Sequence, residues 1–239
     1  MIPKIIHYCW YGNNKKTKLI NQCIYSWKKY FPDYEIIEWN ENNTDIYENK
    51  YIEKAYEEKK WAFVSDYVRM KVLSEYGGIY FDTDVEVLKP FPQEILKLEA
   101  FSGFESFSLK LSPGLVFACE PKNPVVEQMV QSYNNDQFEL GSVDDVKTIN
   151  VRITEMLMSD GLREVDEQQI VDGITVFPSK IFCPYDSKRR RVNIQPESLT
   201  VHYYAASWFP WHRKLRLKLG TILRRMVYSC LLYTSDAAD

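Results

Sequence analysis

A chain of 239 residues, 45% hydrophobic and 26% charged, can bury a substantial core and fits one domain with appendages better than two full domains. Lysine and arginine total 30 against 33 acidic residues, so the net charge of -3 gives no global case for nucleic acid and confines any basic site to a local patch. Five cysteines, odd in number and without Cys-x-x-Cys spacing, argue against a disulfide framework and a zinc ribbon, leaving a reduced, cytoplasmic setting as the expectation.

Along the chain, strand and helix signals alternate. Ile2 to Cys9 reads as a short apolar strand. The apolar run from Ile5 to Trp10 is short and is followed by Lys15, Lys16 and Lys18, which is not the pattern of a secretory signal. Thr17 to Tyr30 has helical spacing through Leu19, Cys23, Ile24 and Trp27, Pro32-Asp33 marks a turn, and Tyr34 to Trp39 is a second strand. Strand, helix and strand predict a right-handed parallel unit. The Asn-rich stretch Asn40 to Asn49 reads as loop, and Trp61 to Tyr76 as an amphipathic helix ended by Gly77-Gly78. Ile79 to Phe81 then enters a sheet. Strands follow at Ala100 to Phe104 and Gly114 to Cys119, helices at Pro124 to Tyr133 and Thr148 to Ser159, and a last strand pair at Ile174 to Phe177 and Leu199 to Tyr204. Without an internal repeat or a Gly/Ser linker, one α/β domain with a mixed sheet is the economical prediction. No stretch approaches the roughly 18 to 20 apolar residues of a membrane span.

The strand Ile79 to Phe81 delivers two carboxylates, Asp82 and Asp84, at its end. On a continuing strand these would share a face roughly 6 to 7 Å apart and could address one hard cation. The same residues also fit a polar turn after a strand. Asp66 and Arg69, three apart on the preceding helix, share a face and fit either an ordinary intrahelical ion pair or a site in which Asp66 accepts from sugar hydroxyls and Arg69 neutralises phosphate. His202, after an apolar strand, could complete a metal shell begun by carboxylates or be structural. Trp10, at the end of the first strand, could stack on a flat base or pack in the core.

Taken in order, Ile-Pro-Lys-Ile-Ile-His-Tyr-Cys-Trp-Tyr-Gly (2 to 12), Trp-Ala-Phe-Val-Ser-Asp-Tyr-Val-Arg (61 to 69), Tyr-Gly-Gly-Ile-Tyr-Phe-Asp-Thr-Asp-Val-Glu-Val-Leu (76 to 88) and His-Tyr-Tyr-Ala-Ala-Ser-Trp (202 to 208) closely resemble glycosyltransferase family 32. The likeness is to its bacterial capsular-polysaccharide and lipopolysaccharide sugar transferases with the DXD-containing sugar-binding region, and it is densest from Met1 to about Pro92. The resemblance implies a single-domain GT-A fold, a Rossmann-like mixed sheet with flanking helices, over residues 1 to 209. It implies a nucleotide-sugar donor, a UDP-sugar above others, Mn2+ or Mg2+, and retaining transfer of a hexose or N-acetylhexosamine to a saccharide or lipid-linked acceptor. By position, Trp10 would stack on the nucleobase, Asp66 and Arg69 would contact the donor sugar, and Tyr80 would line the same pocket. Asp82 would contact donor or metal water, Asp84 would ligate the metal, and His202 would join it. Ser207 and Trp208 would fold over the diphosphate, and Asn42 would touch the nucleotide. The family's second His and its Gly are here Tyr203 and Ala206.

Retention by double displacement needs a carboxylate nucleophile. Glu120 is the available one, but nothing local fixes it at the site, so a front-face mechanism is the expectation. Arg213, Lys214, Arg216, Lys218, Arg224 and Arg225 alternate with apolar residues, so residues 210 to 232 predict a basic amphipathic segment in peripheral contact with the inner face of the plasma membrane. A solvated helix packed on the domain is the other reading. Residues 233 to 239 break the pattern and resemble an artefactual or disordered tail. Two alternatives stand beside the transferase: a haloacid-dehalogenase-like phosphohydrolase, which also places Asp-x-Asp after a strand, and a non-catalytic nucleotide-sugar-binding module.

Overall fold

The computed structural model describes residues 1–134, 136, 138, 147–186 and 191–205. In chain order they form β1 (Ile5–Cys9), α1 (Lys18–Tyr30), β2 (Glu35–Trp39), α2 (Lys50–Glu57), α3 (Trp61–Tyr76), β3 (Gly78–Tyr80), β4 (Val85–Val87), α4 (Gln93–Leu96) and β5 (Ala100–Gly103). Then come β6 (Phe117–Cys119), α5 (Pro124–Ser132), α6 (Ile149–Ser159), β7 (Gln169–Val171), β8 (Ile174–Phe177), α7 (Ser179–Phe182), β9 (Tyr185–Asp186), β10 (Arg191–Val192) and β11 (Thr200–His202).

Seven strands make one mixed sheet in the order β2-β1-β3-β6-β5-β8-β7. β1 pairs in parallel with both β2 and β3, so all three end on one edge, whereas β6 runs antiparallel to β3 and to β5. Because strand side chains alternate in direction, each strand feeds two cores. Ile6, Tyr8, Ile79, Phe101 and Ala118 join the layer beneath α1 and α7, while Cys9, Tyr80, Ala100, Phe117 and Cys119 join the layer with α2, α3, α5 and α6.

Local chemistry explains the elements. Thr17 caps α1 by accepting from the Ile20 amide, and Lys28 and Lys29 lie in the last turn, where cations suit the helix dipole. Trp27 of α1 is fully buried and donates its indole N–H to the Val85 carbonyl at 2.8 Å, tying α1 to β4. His7 joins three elements: its Nδ1 accepts from Trp39 Nε1 at 3.1 Å, leaving Nε2–H for the Gly77 carbonyl at 2.9 Å. Burial lowers its pKa to about 4, so it is neutral and structural.

One helix was not foreseen and three expectations need correction. The loop predicted for 40 to 49 is followed by a helix not foreseen, α2, capped by the Asn49 side chain and burying Tyr51, Ile52 and Ala55. α3 is not amphipathic. It is buried on most of its circumference, Asp66 and Arg69 included, because it packs against β1, β3, α2 and α5 at once. Ile174–Phe177 and Leu199–Tyr204 do not pair: β8 lies between β5 and β7, while β11 pairs antiparallel with β4 in a separate two-stranded sheet. The strand predicted from Gly114 begins only at Phe117, since a turn occupies 113 to 115.

Candidate active site

β3 stops at Tyr80, and Asp82 and Asp84 lie in the turn that leads to β4, closed by the Val85 amide donating to the Asp82 carbonyl at 3.0 Å. The shared strand face inferred for the two acids is therefore replaced by a turn. Convergence is achieved by a different route: β11 lies alongside β4 with His202 opposite Val85, which sets the imidazole beside Asp84. His202 Nε2 is 2.9 Å from Asp84 Oδ1, and the Ala205 amide donates to Asp84 Oδ2 at 2.7 Å. One ligand atom from each of Asp82, Asp84 and His202 falls within 4.8 Å of the others.

These residues fit a hard divalent cation. Two carboxylates suit Mn2+ or Mg2+, an imidazole can complete the shell, and among the described residues no thiolate joins the group. His202 Nε2 is spent on Asp84, and its Nδ1 is buried without a hydrogen-bond partner. Burial raises the carboxyl pKa of Asp84, but the opposing charge and hydrogen bond of His202 and the Ala205 amide outweigh it and hold it below the usual value. Burial works against the charge of His202, and Asp84, Asp82 and Glu105 together raise its pKa.

The second half of the site comes from α3. The Arg69 guanidinium reaches Asp66 Oδ1 at 3.2 Å and Asp82 Oδ1 at 3.1 Å, and its Nε donates to the Ser65 carbonyl at 3.2 Å. Its face lies 4.8 Å from the Tyr80 ring centroid, and the Tyr80 hydroxyl donates to Asp82 Oδ1 at 3.3 Å. Tyr80 is fully buried, with the Arg69 guanidinium over its ring. Asp66 has a further partner: its Oδ2 accepts from the Ile149 amide at 3.3 Å, the first residue of α6, whose Thr148 makes no side-chain cap. Burial raises the Asp66 pKa to about 6 against the pull of Arg69.

Trp10 and Asn42 lie at the same carboxyl edge. Trp10 is half-buried, with its indole N–H on the Asn14 carbonyl at 2.7 Å and the Lys16 ammonium 5.6 Å from its ring centroid. Asn42 is exposed in the loop after β2, which Glu41 pins by accepting from the Gly12 amide at 2.6 Å. Tyr203, where the family pattern has a second His, donates to Glu86. Ser207, Trp208 and the segments 210–232 and 233–239 lie outside the described residues. Glu120 is removed from consideration by topology: β6 is antiparallel to β3, so Glu120 leaves the sheet at the opposite edge, where it pairs with the Met1 amino group.

Gly114 was not foreseen as a site residue. Its carbonyl accepts from the Asp82 amide at 2.9 Å, and a Cβ there would stand 2.1 Å from Asp82 Oδ2 and 2.9 Å from Arg69 Nη1. The sequence shows only a turn-forming Ser-Pro-Gly, with no sign of the carboxylate it faces. Gly114→Ala is expected to displace Asp82 and weaken Mn2+ affinity by about tenfold or more, as disturbed support of metal ligands does. Calorimetric titration of the folded variant checks this, and parental affinity would contradict it.

Residues 17–102 match the family described as glycosyltransferase sugar-binding region containing DXD motif. The chain is 27% identical to the Subversion of eukaryotic traffic protein A of Legionella pneumophila, over 58% of this chain and 27% of that protein, so it spans about a quarter of the relative's length. Among solved structures it resembles the PaToxG glycosyltransferase, with TM-score 0.50, 20% identity and coverage of 67% of this chain and 69% of that one. It also resembles a glycosyltransferase involved in the glycosylation of the major capsid of PBCV-1, with TM-score 0.51, 14% identity and coverage of 86% and 95%. The shared architecture is the GT-A fold, a mixed sheet with flanking helices.

Proposed function

We propose, from the premise that this chain is a glycosyltransferase built on the DXD-containing sugar-binding region at residues 17–102, that it moves a hexose or N-acetylhexosamine from a UDP-sugar to a saccharide or lipid-linked acceptor with retention. The observation that supports this reading most is the meeting of Asp82, Asp84 and His202 with Arg69 at the carboxyl edge of β3, where α/β folds bind ligands. In this reading Asp84, Asp82 and His202 hold Mn2+ or Mg2+, which when bound supplies Lewis-acid neutralisation of the diphosphate leaving group.

The chain's own residues do the remainder. Trp10 stacks on the nucleobase and Asn42 contacts the nucleotide, while Ser207 and Trp208 close over the diphosphate. Arg69 keeps Asp82 in place and presents positive charge toward phosphate, and Asp66 receives sugar hydroxyls on the oxygen not spent on α6. Glu120 being at the wrong edge, a front-face reaction is favoured. The bond from the sugar anomeric carbon to the diphosphate breaks with its electron pair leaving on the diphosphate. The acceptor oxygen bonds to that carbon on the same face, and its proton passes to the departing phosphate.

The setting proposed is surface polysaccharide synthesis at the cytoplasmic leaflet, with residues 210–232 making peripheral contact. Among the described residues no helix is long and apolar enough to cross a membrane. The mixed-sheet architecture and the match at residues 17–102 favour the transferase over the phosphohydrolase, and metal-dependent turnover is what separates it from a non-catalytic nucleotide-sugar-binding module. A panel of nucleotide sugars, incubated with and without Mn2+ and scored for released nucleoside diphosphate, is expected to show Mn2+-dependent cleavage of a UDP-sugar. Cleavage of none, or cleavage indifferent to the cation, would sink the reading.

A further inference from the structure

Asp66 and Glu105 are the two carboxylates buried to 7% and 8% residual exposure among the described residues, and the first is engaged by Arg69 and by α6. Glu105 pairs with no lysine or arginine among the described residues, and it lies at the edge where the donor site is. Tyr80 of β3 and Ser102 of β5 are both in register with Phe117 of β6, so the chain leaves β3 toward Asp82 and β5 toward Glu105 on the same side of the sheet, two strands apart. Two strand spacings place these backbones about 10 Å from one another.

The segment after β5 is held rigidly. Phe104 bridges to Leu111, the Glu105 amide donates to the Lys110 carbonyl at 2.8 Å, and the Leu109 amide donates back to the Glu105 carbonyl at 2.9 Å. Ser108 Oγ donates to Glu105 Oε2 at 2.6 Å, and burial raises the carboxyl pKa while Ser108, the charge of His202 and the Tyr204 hydroxyl oppose it. Aromatic rings run outward from there. The centroids of His202 and Tyr204 are 4.1 Å apart, those of Tyr204 and Phe107 are 5.4 Å apart, and Phe107 at the tip is 55% exposed. A row of packed rings thus runs from the cation cluster to the surface, with the buried Glu105 near its inner end and the exposed Phe107 at its outer end.

That pairing matches one ligand chemistry. A hexopyranose offers an apolar C–H face to a ring and hydroxyl donors to a carboxylate, and binding sites combine apolar walls with a few placed polar groups in this way. We propose that Phe107, Tyr204 and Glu105 form the acceptor subsite, taking a hexopyranosyl unit that lies on Phe107 and donates a hydroxyl to Glu105. The inference rests on the transferase reading and names its acceptor class as saccharide.

The test uses the full chain and p-nitrophenyl hexopyranosides of both anomeric forms. Saturation-transfer NMR in the presence of UDP and Mn2+ should show hexoside binding to the parent, weakened about tenfold in Phe107→Ala and retained in Phe107→Trp. With a UDP-hexose, Glu105→Gln should lower the ratio of transfer to donor hydrolysis by about tenfold or more, a split that a merely structural role would not produce. Equal hexoside binding by Phe107→Ala, an unchanged ratio in Glu105→Gln, or transfer to Ser/Thr/Tyr peptides with none to hexosides overturns the proposal. A parent that binds hexosides through Phe107 but cleaves no nucleotide sugar would defeat the transferase reading and leave the subsite standing.

Discussion

Asp84→Asn is expected to reduce Mn2+-dependent nucleoside diphosphate release by about a thousandfold, the upper range for losing one preorganised electrostatic group at a reacting centre. Two losses combine. The amide carries no charge to hold a cation, and it has one acceptor oxygen where Asp84 uses two, one for His202 and one for the Ala205 amide. One of those donors is therefore left unmatched, and the short stretch that follows β11 loses its anchor. The check is kcat at saturating Mn2+ on protein whose circular dichroism matches the parent. Activity within tenfold of the parent would remove Asp84 from the centre of the site.

Arg69→Met is expected to be the most destabilising single change in the site, by about 3–5 kcal/mol, because breaking a buried ion pair leaves its partner charged in a low dielectric. Here one cation serves two carboxylates, Asp66 at 3.2 Å and Asp82 at 3.1 Å, with Asp66 buried. The pH dependence has a definite sign. Asp66 already titrates at about 6 in the folded protein, above its unfolded value, so its contribution is fully present below the unfolded pKa and is lost as pH rises through about 6. Without Arg69 the opposing pull is gone and the folded value moves higher still. The variant's deficit relative to the parent should thus be larger near pH 8 than near pH 5. Urea unfolding at both conditions measures it, and a deficit independent of pH would mean that Arg69 acts through packing alone.

Legibility in the sequence varied with the range of the interaction. α3 and β8 have the limits that spacing predicts, and α1 and β2 start one residue later than predicted, because an apolar period and a Gly or Thr at the boundary are local signals. α2 escaped because Asn49 ends a polar run and its capping role shows only once Tyr51, Ile52 and Ala55 find a core. β11 was legible as a strand but not its partner: nothing in Thr-Val-His says that it pairs with Val85 to Val87 more than a hundred residues earlier. Gly114 and Glu105 carried no signal, since each matters only for what it faces.

For the site as a whole, Asp66, Arg69, Asp82, Asp84 and His202 were nominated by the order of their motifs, which resembles that of one family; the local pattern alone left an ion pair within α3, a polar turn after β3 and a structural histidine open. Their arrangement was decided by tertiary structure. Asp82 and Asp84 were expected to meet across a strand face and instead sit in a turn, brought to His202 by the β4–β11 pairing and to Arg69 by the packing of α3 on the sheet. The direction of β6 placed Glu120 at the far edge and the direction of β5 placed Glu105 at the near one. Strand direction within a mixed sheet depends on non-local hydrogen bonding, which side-chain periodicity does not encode.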